Sequence, residues 1–585
     1  MKKSFFFIFC ACALMGCKHS LSSSEIRINQ VGFDPQQEKT ATIDVCTADA
    51  APYSVSIVSE TGDTVWTGLA STTMLNPISS KPRQIVDFST ITTPGTYTLI
   101  ASSPRSLITS SPFAITPRPY RFLTRQALRA FYHQRSGIAT EEPYAEGYAR
   151  AAGHPDDHVL VHPSAATDER PANTVIASPG GWYDAGDYNK YIVNSGYTMG
   201  VFLMAYEQHP AYYDTLSLNI PESALRVPDM LAEAMYNIRW MLTMQDTDGG
   251  VYHKLTNPEF ESFIRPDECQ KPRYVVLKTT AAALDFAATM ALAARVYAPY
   301  ADVYPGFVAE ATDAALRAYA WAQDHPAIYY DQNAMNEQYA PAIITGAYDD
   351  YDVQGEFYWA ATELYLLTGD AIYRDAALAY CPKVYTPAVW GDVAELASIE
   401  WMLHPQGVED FAAQRQADLL AHLQPYLEEA ETTSVHRSPY GNRAEDFFWG
   451  CNSEGCCWRG IECLYAYRLT GNQLYLINAE RCLNHVLGQN ATGFCYVTGF
   501  GTRPTQDPHH RLSFSHPKGT LPGFLAGGPN RERQDDGIDG VRYPKNVSAD
   551  ESYLDFQPSY ASNEVTINWN VTLFALTAGI DVLQQ

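Results

Sequence analysis

Positive charge is scarce in this sequence. Its 40 Lys and Arg face 66 Asp and Glu, giving a net charge of -26. That balance argues against nucleic acid and anionic membrane surfaces as partners. Charge of either sign is sparse at 18%, and with 46% hydrophobic residues this excludes disorder and supplies a large core. Beyond the first fourteen residues no apolar stretch reads as long enough to span a bilayer. Twelve cysteines are present, and the nine beyond the leader form no paired C-x-x-C units. Neither a zinc ribbon nor a full disulfide framework is therefore specified, and partly buried thiols with a disulfide or two are expected. No Cys-Trp-Cys set marks an antibody-type domain. Aromatics, by contrast, are plentiful at 12%, with 39 Tyr. A length of 585 residues calls for two or more domains.

The N-terminus reads as an export leader. Lys2 and Lys3 precede the apolar Phe5 to Leu14. Leu14-Met15-Gly16-Cys17 has the form of a bacterial lipobox, so residues 1–17 are expected to be a lipoprotein signal with Cys17 carrying the lipid. An ordinary signal peptide with a chance Cys is the alternative. A short Ser-rich tether, Lys18 to Ser24, follows. The expected location is the cell envelope (periplasm or cell surface) or the medium. The only membrane contact would be the lipid, and the protein is expected to be a monomer.

From residue 25 to 116 the apolar pattern alternates, as in Tyr53, Val55 and Ile57 and in Tyr97 and Leu99. Turn signals at Gly62-Asp63 and Pro94-Gly95 cut it into about seven short strands, predicting an immunoglobulin-like β-sandwich. From residue 118 to 585 the spacing is helical. About a dozen runs are predicted, near 121–137, 194–208, 227–242, 279–297, 307–322, 355–367, 371–380, 391–402, 408–424, 457–469, 472–487 and 562–582. Long loops at 138–193, 245–278, 325–354 and 489–561 separate them. A dozen helices with long loops suggest an α/α toroid, although periodicity does not separate that from an irregular bundle.

One loop stretch concentrates chemistry: Gly180-Gly181-Trp182-Tyr183-Asp184-Ala185-Gly186-Asp187-Tyr188-Asn189-Lys190-Tyr191. Two carboxylates three residues apart, among four aromatics, suit a sugar cleft, in which acids move protons and rings stack on pyranose faces. The competing reading makes Asp187 a helix N-cap and the aromatics local packing. Two further stretches stand out. Tyr496 to Arg503 leads to Pro508-His509-His510-Arg511, where hydrogen bonds to sugar are as good a reading as a metal site, since two adjacent histidines rarely share one metal. Tyr553-Leu554-Asp555 and Tyr560-Ala561-Ser562-Asn563-Glu564 run into the last helix, where Glu564 could be an ordinary first-turn acid.

Taken together these stretches resemble glycoside hydrolase family 9. The Asp-Ala-Gly-Asp element matches at Asp184 and Asp187. A Gly-x-Arg … Pro-His-x-Arg element matches at Gly501, Arg503, Pro508, His509 and Arg511. A third element matches at Tyr553, Asp555, Tyr560 and Glu564, with Asn570 beyond. Trp449-Gly450-Cys451-Asn452-Ser453 and Pro522 to Asn530 are similar to family stretches as well. Ile26 to Phe33 resembles the start of the immunoglobulin-like module that precedes some members. The resemblance implies an all-α (α/α)6 barrel behind an all-β sandwich, and inverting cleavage of β-1,4-glucosidic bonds in cellulose-like glucans, mixed-linkage glucan or xyloglucan. It implies Glu564 as general acid, Asp187 as general base and Asp184 holding the same water, with His509 and Asp555 in the catalytic set. Trp182, Tyr183, Tyr188, Arg511 and Tyr560 are the expected substrate contacts, and Asp555 is a candidate for raising the Glu564 pKa. Gly355-Glu356 stands where many members have Asp-Glu in a calcium-binding region. The resemblance therefore leaves a structural calcium open and requires no cofactor. Two alternatives remain: an exo-acting glucosidase or glucosaminidase, and a non-catalytic glycan-binding lipoprotein.

Overall fold

The computed structural model describes residues 25–104 and 106–584. The expected leader, its lipobox Cys17 and the tether lie outside them. Nine strands build the first domain: β1 (Ile26–Arg27), β2 (Thr40–Asp44), β3 (Ser54–Ser59), β4 (Thr64–Leu69), β5 (Met74–Leu75), β6 (Pro82–Asp87), β7 (Gly95–Ser103), β8 (Ser106–Thr109) and β9 (Phe113–Ile115). One sheet runs β1-β2-β6-β5, and the other runs β4-β3-β7-β8 with β9 also on β7. The alternation is what buries one face: Val55 and Ile57 of β3 lie opposite Ala101 and Leu99 of β7, all four inside. Phe33, Phe88 and Phe113 fill the centre with ring centroids 5.4–5.8 Å apart.

Twelve helices of ten or more residues make the second domain. They are α1 (Arg121–Gln134), α2 (Ile192–Gln208), α3 (Asp229–Thr243), α4 (Thr280–Tyr297), α5 (Phe307–Asp324), α6 (Gln354–Thr368), α7 (Ala371–Tyr380), α8 (Ala394–Leu403), α9 (Glu409–Thr432), α10 (Trp458–Thr470), α11 (Gln473–Val486) and α12 (Ile567–Leu583). Even-numbered helices pack on one another as an inner ring, and odd-numbered ones back them. Composition decides which is which. In α4 every residue but Arg295 is buried, because it is apolar all round. In α9 only a stripe at Ala412, Leu419, Leu423, Leu427 and Ala430 is buried. The ring closes where α12 packs against α1 and α2. The toroid expected from the helix count is thus the fold, an (α/α)6 barrel.

Three expectations need correction. First, α4 with the turn after it, Thr280–Tyr300, is by length and composition apolar enough to cross a membrane. It is instead a buried inner-ring helix, and its apolar circumference serves the core of the barrel. Second, α9 runs to Thr432, straight through Pro425, rather than ending at 424. Pro425 is exposed, so water satisfies the carbonyl it frees, while Leu423 and Leu427 anchor the helix on either side. Third, Cys269, Cys381, Cys451, Cys456, Cys457, Cys463, Cys482 and Cys495 are unbridged thiols, six of them buried. A core this large has no need of staples.

The long loops gather on one face. Residues just ahead of α2, α6, α8, α10 and α12 (Tyr191, Tyr348, Trp390, Glu454 and Thr566) line a single cleft. A small sheet steadies that face: β10 (Val159–Val161), β11 (Val175–Ile176), β12 (Lys190–Tyr191), β13 (Lys254–Thr256) and β14 (Tyr274–Val275), in the order β11-β10-β14-β13-β12. Strands of two or three residues carry no readable periodicity, which is why the sequence does not announce this sheet. The sandwich seats on the barrel beside the same loops. Gln30 Oε1 accepts the Thr502 and Arg503 amides at 2.9 and 2.8 Å, and Arg481 pairs with Glu38 at 2.6 Å.

Candidate active site

The Asp184–Asn189 turn is held from three sides. The Asp184 amide donates to the Asn189 carbonyl at 3.0 Å, and the first amide of α12, Ile567, donates to the Asp184 carbonyl at 2.9 Å. The Gly186 carbonyl accepts from the Arg511 amide at 3.0 Å and from Arg511 Nη1 at 2.8 Å. Gly186 is required here. A Cβ on it would stand 2.0 Å from the His509 carbonyl oxygen and 3.3 Å from Glu564 Oε1. The glycine between the two aspartates is what lets the turn close on the His509–Glu564 segments, which pair as a bridge.

The two aspartates have different surroundings. Asp184, 2% exposed, has both oxygens taken: Oδ1 accepts from Asn194 Nδ2 at 2.7 Å and Oδ2 from the Tyr348 hydroxyl at 2.6 Å. Burial, with the charge of Asp187 adding to it, pushes its carboxyl up to about 8. Asp187 Oδ2 accepts from Asn189 and, at 3.2 Å, from Tyr191, while Oδ1 is buried without a partner. That free oxygen belongs to a residue on the wall of a cleft of about 240 Å³. A buried acceptor left open at a cavity is what a bound water would satisfy. Glu564 lines the same cleft, and burial, with Asp187 next in effect and Arg511 opposing, raises it to about 8.

Glu564 corrects one local expectation. It is not in the first turn of the last helix, which begins at Ile567. It sits in extended backbone after the short turn Tyr560–Asn563. A helix dipole would lower its pKa; desolvation in the cleft raises it instead. Asp187 is likewise no N-cap, since α2 starts at Ile192 with no side-chain cap.

The sugar-facing aromatics are not those expected. Trp182, Tyr183 and Tyr188 are fully buried and do not line the cleft. The Trp182 indole donates to Glu233 at 2.8 Å, and the Tyr188 hydroxyl to the Ile264 carbonyl at 2.7 Å. For these three the local-packing reading holds. The walls are Tyr191, Phe260, Tyr348, Trp390, Trp449 and Trp569. Trp390 meets Tyr348 edge-on at 4.9 Å, and Trp449 is 46% exposed. The exposed rings of Phe260 and Trp449, with half-buried Tyr348 and Trp390, offer a stacking surface beside the acids, while Tyr191 and Trp569 are buried behind it.

The remaining expected residues support the cleft from behind. His509 Nδ1 meets the Gln557 carbonyl at 2.9 Å, and burial lowers its pKa to about 4, so the ring is neutral. Tyr560 packs its ring on Trp449 and on His509. Arg511 does not line the cleft; it ties Gly186 to the Glu261 carbonyl. Asp555 accepts the Gln506 and Asp507 amides at 2.8–3.0 Å, pinning the loop ahead of His509. The charges that raise Glu564 are Asp187 and Asp184, not Asp555.

Glu454 is a fourth cleft acid that the sequence reading missed. It accepts from Asn568 Nδ2 at 3.0 Å, and burial raises it to about 8. It lies one residue past the Trp449–Ser453 stretch, so only its place just ahead of an inner helix could have flagged it. Around Gly355 the buried acids Asp285 and Glu356 have all four carboxylate oxygens unpartnered, and a Cβ on Gly355 would stand 3.0 Å from Asp392 Oδ1. These acids do not converge as ligands around one point. Among the described residues, the trios that do are His154, Glu261 and Cys269, and Glu207, Glu400 and His404.

Comparison with known proteins agrees with this geometry. Residues 120–577 match the profile of glycosyl hydrolase family 9, and residues 22–106 that of a cellulase N-terminal ig-like domain. The chain is 47% identical over 569 residues to a xyloglucan-specific endo-β-1,4-glucanase of Bacteroides ovatus, covering 96% of this chain and 94% of that protein. A solved Bacteroides ovatus GH9 structure superimposes with TM-score 0.89 at 46% identity, covering 96% of this chain and 99% of the other. A thermostable endoglucanase mutant from Alicyclobacillus acidocaldarius gives TM-score 0.83 at 30% identity, with coverages of 95% and 99%.

Proposed function

Because the chain belongs to glycosyl hydrolase family 9, we propose that it is an endo-acting hydrolase of β-1,4-glucans whose preferred substrate is xyloglucan. The observation that carries the chemistry is one cleft holding an open Asp187 oxygen, a Glu564 raised to about 8 and aromatic walls. Glu564 is protonated at neutral pH and donates to the leaving glycosidic oxygen. Asp187 Oδ1 takes a proton from water on the opposite face, and Asp184, fixed by Asn194 and Tyr348, orients that water. The result is inversion, and each proton carrier is a side chain of this protein, so no cofactor enters the scheme. The Bacteroides ovatus relative, similar along nearly its full length, supports xyloglucan as the glucan.

A panel of xyloglucan, mixed-linkage glucan and carboxymethyl cellulose, with product sizing, tests this reading. Xyloglucan should be cleaved fastest, with long oligosaccharides first; release of small units from chain ends alone would establish exo action instead. NMR of fresh products should show the α-anomer. Glu564→Gln or Asp187→Asn should cut turnover 10²–10⁴-fold with the fold intact; near wild-type rates would overturn the assignment. We further propose an exported monomer held by a lipid on Cys17. Detergent partitioning of wild type against Cys17→Ala, and sedimentation of the mature chain, check those two points.

A further inference from the structure

Beside the cleft lies a second hollow of about 250 Å³, lined by Pro258, Glu259, Lys271, Pro272, Ala342 and Ile344. One side is the loop between β13 and β14, and the other is the segment between α5 and α6. The two cavities share these loops. Glu259 lines the hollow and its neighbour Phe260 the cleft, while Ile344 lines the hollow and Gly346, two residues on, the cleft. A step of two residues spans at most about 7 Å of extended chain. The hollow is therefore a side chamber of the cleft.

Its walls are fixed to each other and to the catalytic turn. The Ile344 amide donates to the Pro258 carbonyl at 2.7 Å, which ties the two sides together. Asn257 Nδ2 donates to the Lys271 and Pro272 carbonyls at 3.3 and 3.2 Å. The Asn257 amide donates in turn to Asn189 Oδ1 at 2.9 Å, and the same Asn189 side chain holds Asp187. The hollow thus keeps a set position relative to the general base. Its faces divide by chemistry. Ile343 is fully buried, yet Ile344 is 61% exposed, with Pro258, Pro272 and Ala342 completing an apolar surface. Opposite in character is the pair of Lys271 Nζ and Glu259 Oε1, 3.1 Å apart, and Lys271 also donates to the Phe260 carbonyl at 2.6 Å. An apolar surface with one donor and one acceptor beside it is what a single sugar ring needs.

A linear glucan runs along the cleft, past the acids, and leaves this chamber empty. A sugar carried on the exocyclic C6 oxygen of a backbone glucose leaves the chain sideways instead. We propose that the hollow is a branch pocket that takes a xylosyl residue carried on C6 of the bound glucan, with Ile344 and Glu259 as its specificity-determining residues. The inference rests on the xyloglucan reading above and gives that reading a structural cause. Ile344 and the two prolines pack on the C–H face of the pentose, Glu259 accepts from one of its hydroxyls and Lys271 donates to another. Because only a branched chain fills the pocket, its contacts discriminate between glucans and do not bind all of them equally.

The test compares wild type, Ile344→Asp and Glu259→Ala on xyloglucan and on unbranched mixed-linkage glucan. Both positions are exposed and neither belongs to the proton-transfer machinery, so the fold and the rate on the unbranched polymer should be kept. On xyloglucan, kcat/KM of Ile344→Asp should fall about tenfold, carried by KM, with a smaller loss in Glu259→Ala. Calorimetric titration of Glu564→Gln with a xylosylated cello-oligosaccharide should show tighter binding than with the bare one, and adding Ile344→Asp should erase that gain. Equal losses on both polymers, or a xyloglucan preference retained by Ile344→Asp, would overturn the pocket while leaving the substrate reading intact. A wild type that cleaves the two polymers equally well would overturn the substrate reading, and the pocket with it.

Discussion

Glu564 and Asp184 each hold a proton well above the range of an ordinary carboxyl, at about 8, because the cleft desolvates them and they share it with Asp187. The same groups in the unfolded chain titrate near 4. Between those values the native state binds more protons, so stability falls as pH rises. The stabilising contribution is complete below about pH 4 and lost once pH passes about 8. Glu564→Gln removes one such group. The melting temperature of the variant relative to wild type should therefore climb from pH 5 to pH 9, even as hydrolysis is lost. A flat difference measured by calorimetry would mean Glu564 is not protonated in the fold. In the wild type, kcat/KM should fall on an alkaline limb near pH 8, a property of the coupled acids rather than of one residue. Gly186 gives a steric counterpart. Gly186→Ala must push the turn away from the His509 carbonyl, 2.0 Å from the new methyl group. Overpacking of this kind should cost about 1–3 kcal/mol, read by urea unfolding, together with most of the activity. Unchanged stability would show that the turn has slack.

Gln30 belongs to the sandwich yet holds a barrel loop. Its carboxamide oxygen receives two amides of the 493–503 segment, and its Nε2 donates to the Gly493 carbonyl at 2.9 Å. Gln30→Ala hands those two exposed amides to water and removes the tie between the domains, at a cost of about 0.5–1.5 kcal/mol per hydrogen bond. Hydrogen exchange should rise first in residues 493–503; uniform protection would disprove the linkage. Legibility follows element length. The twelve helices could be read because each repeats its apolar face over several turns, and the sandwich strands because β3 and β7 alternate cleanly. The five short strands β10–β14 could not be, having two or three residues each. At the site, Asp184 and Asp187 were legible as a pair of acids among aromatics, whereas Glu564, far downstream, was joined to them only through the family resemblance. The ring residues were not, because an aromatic on a loop gives no sign of whether it faces in or out. Trp182, Tyr183 and Tyr188 turned inward to pack, while Tyr348 and Trp390, unremarkable in sequence, face the cleft.

The two domains share a continuous seam of buried polar contacts. Asn29 donates to Asn484 at 2.8 Å, Asn76 to Asp550 at 3.0 Å, and Glu38 pairs with Arg481. Breaking such contacts exposes unmatched polar groups on both sides. Heating should therefore give one calorimetric transition for sandwich and barrel together, and the barrel expressed without residues 25–116 should melt lower or aggregate. Two well-separated transitions would show the domains to be independent.

The seam also sets where the described chain begins, and so where the proposed tether would join it. Strand β1 lies in it, with Arg27 Nη1 donating to the Thr492 carbonyl of the barrel at 3.0 Å. A tether running from Cys17 would therefore join the protein beside the contact between the domains and not at the far pole of the sandwich. The sandwich then cannot serve as a stalk that lifts the barrel off a surface. Under the proposed Cys17 lipid, height above the membrane would be left to the seven residues Lys18 to Ser24, at most about 25 Å of extended chain. An enzyme so tethered would meet soluble or loosened glucan chains more readily than a polymer fixed at a distance.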